Sequence, residues 1–97
     1  MLRHVVFIKF KSGVTEAEIR ELEKSLGGLP GTVPEIKSFE FGRDVVRSER
    51  SYDFALVSSF QDLDAMKRYQ VHPAHQKVVQ LLQQLSESIL AVDFEPR

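Results

Sequence analysis

Apolar and polar positions divide the chain into stretches of alternating kind. Arg3 to Lys11 is rich in β-branched and aromatic residues and ends at Ser12-Gly13, the composition of a strand. Its alternation sends His4, Val6, Ile8 and Phe10 to one face, Val5 and Phe7 to the other. Both faces are mainly apolar, so both need cover. Thr15-Glu16-Ala17-Glu18 has the form of a capping box, in which a Thr hydroxyl and a Glu carboxylate satisfy unpaired N–H groups at a helix start. Ile19, Leu22, Leu26 and Leu29 follow at spacings of three, four and three, one buried stripe, and Gly27-Gly28 with Pro30 beyond stop the helix.

A second strand is predicted from about Glu35 to Gly42 and a third from Tyr52 to Phe60, separated by the charged loop Arg43 to Arg50. In the third strand Tyr52, Phe54, Leu56 and Phe60 share one face, and Ala55 and Val57 lie on the other. Asp62 to Gln70 reads as a short helix carrying Leu63, Met66 and Tyr69. Pro73 suits the first turn of a further helix, because its missing N–H is unpaired there anyway. Its inward stripe is His75, Val78, Val79, Leu82 and Leu85. The last strand, Ile89 to Glu95, alternates Leu90, Val92 and Phe94 with Ile89, Ala91 and Asp93.

The order is βαββαβ, with the second helix split at Pro73. The fold class is therefore α+β, ferredoxin-like, with a four-stranded antiparallel sheet. Right-handed crossovers place both helical elements on one side of that sheet. The other face is left open, and it is expected to carry Val5, Phe7, Ala55, Val57, Ile89 and Ala91. An apolar patch of a few hundred Å² marks an interface. The expected partner is a second copy, packed sheet to sheet about a two-fold axis.

Composition narrows the rest. The 97 residues hold no repeat or linker, so residues 1–97 form a single domain. Thirteen basic against fourteen acidic side chains leave no footprint for nucleic acid. No stretch approaches the ~20 apolar residues that cross a bilayer. The run Val5 to Ile8 meets Lys9, too soon for a signal-peptide core. With no cysteine there is no disulfide, thiolate chemistry or cysteine-ligated metal, and a cytoplasmic location is expected.

Four segments together resemble the stress-responsive dimeric α/β-barrel (Dabb) family. They are His4-Val5-Val6-Phe7-Ile8-Lys9-Phe10-Lys11, Phe39-Glu40-Phe41-Gly42, Tyr69-Gln70-Val71-His72-Pro73-Ala74-His75-Gln76 and Val92-Asp93-Phe94. Tyr-x-x-His-Pro-x-His is the most specific of them, and the resemblance spans nearly the whole chain. It implies a dimeric α+β barrel, in agreement with the interface expected from periodicity. Most members have no assigned reaction; those that do include a plant polyketide cyclase. Membership alone does not transfer a reaction.

The chain has three histidines, His4, His72 and His75. The face assignments let His4, Tyr69 and His75 converge at one end of the space between helices and sheet. An imidazole beside a phenol in apolar surroundings is acid–base equipment, since histidine titrates near neutrality and tyrosine donates to a carbonyl or enolate oxygen. Leu26, Phe54, Val6 and Val79 are expected to line a small apolar pocket beside them. The resemblance implies that the positions of His75 and Tyr69 form the acid–base pair in the cyclase branch, with the position of His4 lining the pocket. This sequence departs from that branch at Leu26, where the branch has tyrosine, and at Phe54, where it has histidine.

Structural roles compete with these. His72 can cap a helix, His75 can be a hydrogen-bonded core histidine, and Tyr69 a core aromatic. His72 and His75 at i, i+3, with His4 or Asp93 as a third ligand, make a weak metal set constrained by Pro73. Arg43, Arg47 and Arg50 alternate with Asp44 and Glu49, the pattern of a solvated face. Gly27, Gly28 and Gly31 lack phosphate-cradle spacing, and no cofactor is expected. A third reading comes from similar dimeric barrels that act as monooxygenases or bind haem, for which the sequence offers at best His4 or His75 as axial ligand. The favoured reading is a homodimeric Dabb protein of unassigned role that binds a small apolar or aromatic ligand or is structural. The alternative is a cofactor-independent enzyme acting on a small carbonyl or aromatic compound. His75 would then be base or acid, Tyr69 its partner or oxyanion donor, and His4 an orienting group.

Overall fold

Strand β1 (Leu2–Phe10) organises the molecule because it is flanked on both edges. The computed structural model describes all 97 residues. The sheet runs β2-β3-β1-β4, with β2 (Ser38–Arg43), β3 (Phe54–Phe60) and β4 (Ser86–Phe94). Every neighbouring pair is antiparallel, which is the ferredoxin-like arrangement that the order of elements predicts.

Helix α1 (Glu16–Gly27) starts at the expected capping box. The Thr15 N–H donates to Glu18 Oε1 at 2.9 Å, and the Glu18 N–H donates to Thr15 Oγ1 at 3.2 Å. At Gly28 the backbone stays right-handed (φ −82°), and a single turn, α2 (Leu29–Thr32), follows with a proline in its first turn. Helix α3 (Leu63–Val71) is capped by Asp62, whose carboxylate accepts the Ala65 N–H at 2.9 Å. Helix α4 (Pro73–Leu85) begins at His72, whose Nδ1 accepts the Ala74 N–H at 3.0 Å.

The core lies between these helices and one sheet face. Val6 and Ile8 of β1, Phe54, Leu56 and Phe60 of β3, Leu22 and Leu26 of α1, and Val78, Leu82 and Leu85 of α4 are all buried there. Each such side chain contributes about 1.5–3 kcal/mol on leaving water. Helix α3 buries Ala65, Met66 and Tyr69, whereas Leu63, expected inward, stands 51% exposed at its first residue.

Three other expectations are corrected. Strand β2 begins at Ser38 rather than Glu35, where pairing with β3 starts. Strand β3 begins at Phe54 rather than Tyr52, because Asp53 turns its carboxylate to the Phe10 N–H (2.8 Å) and to the Arg47 guanidinium (2.8 Å). Tyr52 accordingly leaves the helix-side row, and its hydroxyl meets Ser88 Oγ at 3.1 Å. Strand β4 begins at Ser86, straight out of α4, and its register places Ile89 opposite Ile8 and Ala91 opposite Val6. Ile89 and Ala91 therefore belong to the helix side. The open face carries Leu90, Val92 and Phe94, opposite Phe7, Val5 and Arg3. Alternation fixes which residues travel together, but only the partner register fixes which way they face. Phe7, Leu90, Val92 and Phe94 are between 43% and 58% exposed on this uncovered face.

Candidate functional site

His4 is buried on β1, and its Nδ1 pairs with the Asp93 carboxylate directly opposite on β4. Tyr69, 1% exposed, descends from α3, and its ring packs on Phe60 with centroids 4.9 Å apart. His75, in the first turn of α4, lies with its ring centroid 4.2 Å from that of Tyr69, and His4 lies 6.4 Å from Tyr69 on the sheet side. The three residues singled out in the sequence thus meet, with Tyr69 in the middle.

Protonation follows from the surroundings. His75 Nδ1 lies 3.1 Å from the Gln70 carbonyl oxygen, which can only accept, so Nδ1 carries the proton and Nε2 keeps its lone pair. Burial lowers the His75 pKa; the Gln70 hydrogen bond opposes this, and repulsion from His4 and His72 adds to it. Burial raises the Tyr69 phenol to about 12. At neutral pH the pair is a neutral imidazole able to accept a proton beside a phenol able to donate a hydrogen bond.

The chain matches the stress responsive A/B barrel domain (Dabb) over residues 2–96. It belongs to the Dabb family. An uncharacterized protein of Streptomyces coelicolor is 35% identical over 98% of this chain and 99% of its own length. Olivetolic acid cyclase of Cannabis sativa is 29% identical over 99% of this chain and 97% of its own length. The crystal structure of a dimeric ferredoxin-like protein of unknown function from Thermobifida fusca superposes with a TM-score of 0.90 at 28% identity, covering 98% of this chain and 90% of that one.

The side chains expected around a pocket lie in or beside the helix-side core of this Dabb chain. Val6, Leu26 and Phe54 are buried in the core, and Val79 is half-buried. Phe54 stacks on Phe41 (6.0 Å, 17°) and also packs on Phe10 (6.0 Å). Apolar side chains at 26 and 54 leave no polar group there to hold water. Of the four expected lining residues, only Phe54 borders one of three cavities at the domain surface. One is on the open sheet face, one is a groove between α1 and α4, and one is a small cleft beside Phe10 and Asp53.

Other candidates resolve into structure. His72 uses Nδ1 as the α4 cap and His75 uses Nδ1 on Gln70, and no group of three or more histidine or acidic side chains is arranged to hold a metal ion. Arg43, expected in a solvated loop, ends β2 and ties it to α1 through Glu23 (2.9 Å) and Glu16 (2.6 Å). Hydrogen bonding to Arg43 holds the Glu16 carboxyl below its usual range. Arg47 pairs with Asp44 and Asp53. No helix is long and apolar enough to cross a membrane. The partnership of His4 with Asp93 was not visible in the sequence, because it depends on the β1–β4 register. The one available signal was the position of Asp93 in an otherwise apolar strand.

Proposed function

We propose that this Dabb protein works as a homodimer joined through its open sheet face, and that the His4–Tyr69–His75 cluster of each subunit holds the polar end of a small apolar or aromatic ligand. The observation that carries the ligand reading is the Tyr69–His75 contact, 4.2 Å between ring centroids, with the imidazole held neutral by burial. A carbonyl or phenol oxygen accepts from Tyr69, and a ligand hydroxyl donates to His75 Nε2. The half-buried His75 is the approach to Tyr69 beneath it. The homodimer is supported by the uncovered row of Val92, Val5 and Val57 and by the dimeric state of the related Thermobifida fusca structure. The cytoplasmic location expected from the sequence belongs with this proposal.

Acid–base catalysis on a carbonyl compound is a second reading. It is favoured by the complementary protonation states of Tyr69 and His75 and by similarity to olivetolic acid cyclase. His75 would take the proton and Tyr69 would steady the developing oxyanion.

The test is an NMR titration with 2,4-dihydroxyacetophenone, following the His75 and Tyr69 ring protons. Saturable shifts at both rings, lost in His75→Ala and weakened in Tyr69→Phe, are expected. Binding that both variants retain overturns the ligand reading. Sedimentation equilibrium decides the dimer, and hydrogen–deuterium exchange at the acetyl methyl of the probe, fast with wild type but not with His75→Ala, moves the conclusion to catalysis.

A further inference from the structure

The open sheet face is not flat. At the end where β2 leads into β3 it carries a cavity of about 370 Å³. Its floor is one cross-strand row, Leu90, Phe7, Ala55 and Gly42, running over all four strands. Gly42 gives the row its depth: a Cβ there would meet nothing within 4 Å. One wall is Tyr52, whose hydroxyl is already held by Ser88 at 3.1 Å.

Charge at the rim is unbalanced. Arg43 is taken by Glu16 and Glu23, and Asp44 is taken by Arg47. Arg50 lines the same cavity and has no ion pair. An apolar floor does not accept a strongly hydrated ion by itself. A guanidinium at the edge takes a carboxylate in a two-pronged geometry, while a ring fills the floor. The volume fits a one- or two-ring molecule.

We propose that this cavity is a second binding site, distinct from the Tyr69–His75 cluster, for a small aromatic carboxylate whose acid group is held by Arg50 and whose ring lies on Phe7 and Leu90. The site rests on the homodimer reading for its outer wall, since the second copy's sheet closes over the row.

The probe is 2-naphthoate, titrated into the wild-type chain by calorimetry and NMR, with sedimentation run on the same samples. Gly42→Leu fills the floor from a strand position with free space above it, and Arg50→Gln removes the charge while leaving the core untouched. The expected result is binding with shifts at Tyr52 and Phe7, weakened about tenfold or more by either variant, and about tenfold weaker again for 2-naphthamide. Full-strength binding in both variants, or shifts confined to Tyr69 and His75, overturns the site. A monomer that still loses binding in both variants removes the homodimer reading and the outer wall while the floor and its charge stand. A dimer indifferent to both variants removes the site alone.

Discussion

His4 and Asp93 stand directly opposite one another across β1 and β4, and the buried imidazole takes its polar partner from an edge strand. Removing that partner leaves the imidazole N–H of a largely buried residue without its protein partner. Asp93→Ala is expected to cost about 1–3 kcal/mol of folding stability, and Asp93→Asn, which keeps an acceptor, less. Urea unfolding of the two variants beside wild type measures this. Equal midpoints for wild type and Asp93→Ala would show that the pair contributes nothing.

Because burial holds the His75 pKa below 6.5, the folded state resists a proton that the unfolded chain accepts. Above the unfolded-state value the contribution of His75 to stability is complete. As pH falls through that value the unfolded state binds more protons and stability declines, levelling below the folded-state pKa. Melting temperatures from about pH 8 down to about pH 4.5 should show a shallower acid-side decline in His75→Phe than in wild type.

The chain has two tyrosines, and burial sets Tyr69 to about 12. A raised phenol pKa means that stability is constant below the ordinary value near 10 and is lost as pH rises towards 12. Ultraviolet titration of the phenolate should show one tyrosine ionising only as the fold opens. In Tyr69→Phe that late transition should be gone.

Leu90 and Val92 lie on the open face, and the intervening Ala91 lies on the helix side. A charge at Val92, as in Val92→Arg, is expected to leave the helix-side core and the circular dichroism spectrum intact while converting a dimer to monomers. Sedimentation equilibrium reads the difference. A Val92→Arg chain that sediments like wild type would place the dimer contact elsewhere.

Phe54 is 1% exposed and packs against Phe10 and Phe41, so Phe54→Ala opens a cavity beside those two rings. A loss of about 3–5 kcal/mol is expected in denaturant unfolding, and Phe54→Leu should lose less.

The strand and helix sequence, the Thr15 capping box and the break at Pro73 were all legible in the chain, because each is set by residues within a turn or two of one another. Tyr69, His75 and His4 could also be brought together on paper, since their faces follow from period alone. Legibility ended where a choice depended on another strand. Alternation grouped Leu90, Val92 and Phe94 correctly but could not orient them, and Tyr52 left its expected row because Asp53 found partners at Phe10 and Arg47, distant in sequence or across a loop. The ring packing around Phe54 was out of reach for the same reason, since aromatic side chains from three strands meet there.

By itself, then, the sequence determined the elements, their order and which residues of β1 and β4 travel together, because local propensity and period act over a few residues. Only the tertiary structure decided which face of β4 meets the helices, that His4 is paired with Asp93, and that the open cavity lies beneath Tyr52 on the sheet face. Those outcomes depend on register and packing between segments far apart in the chain.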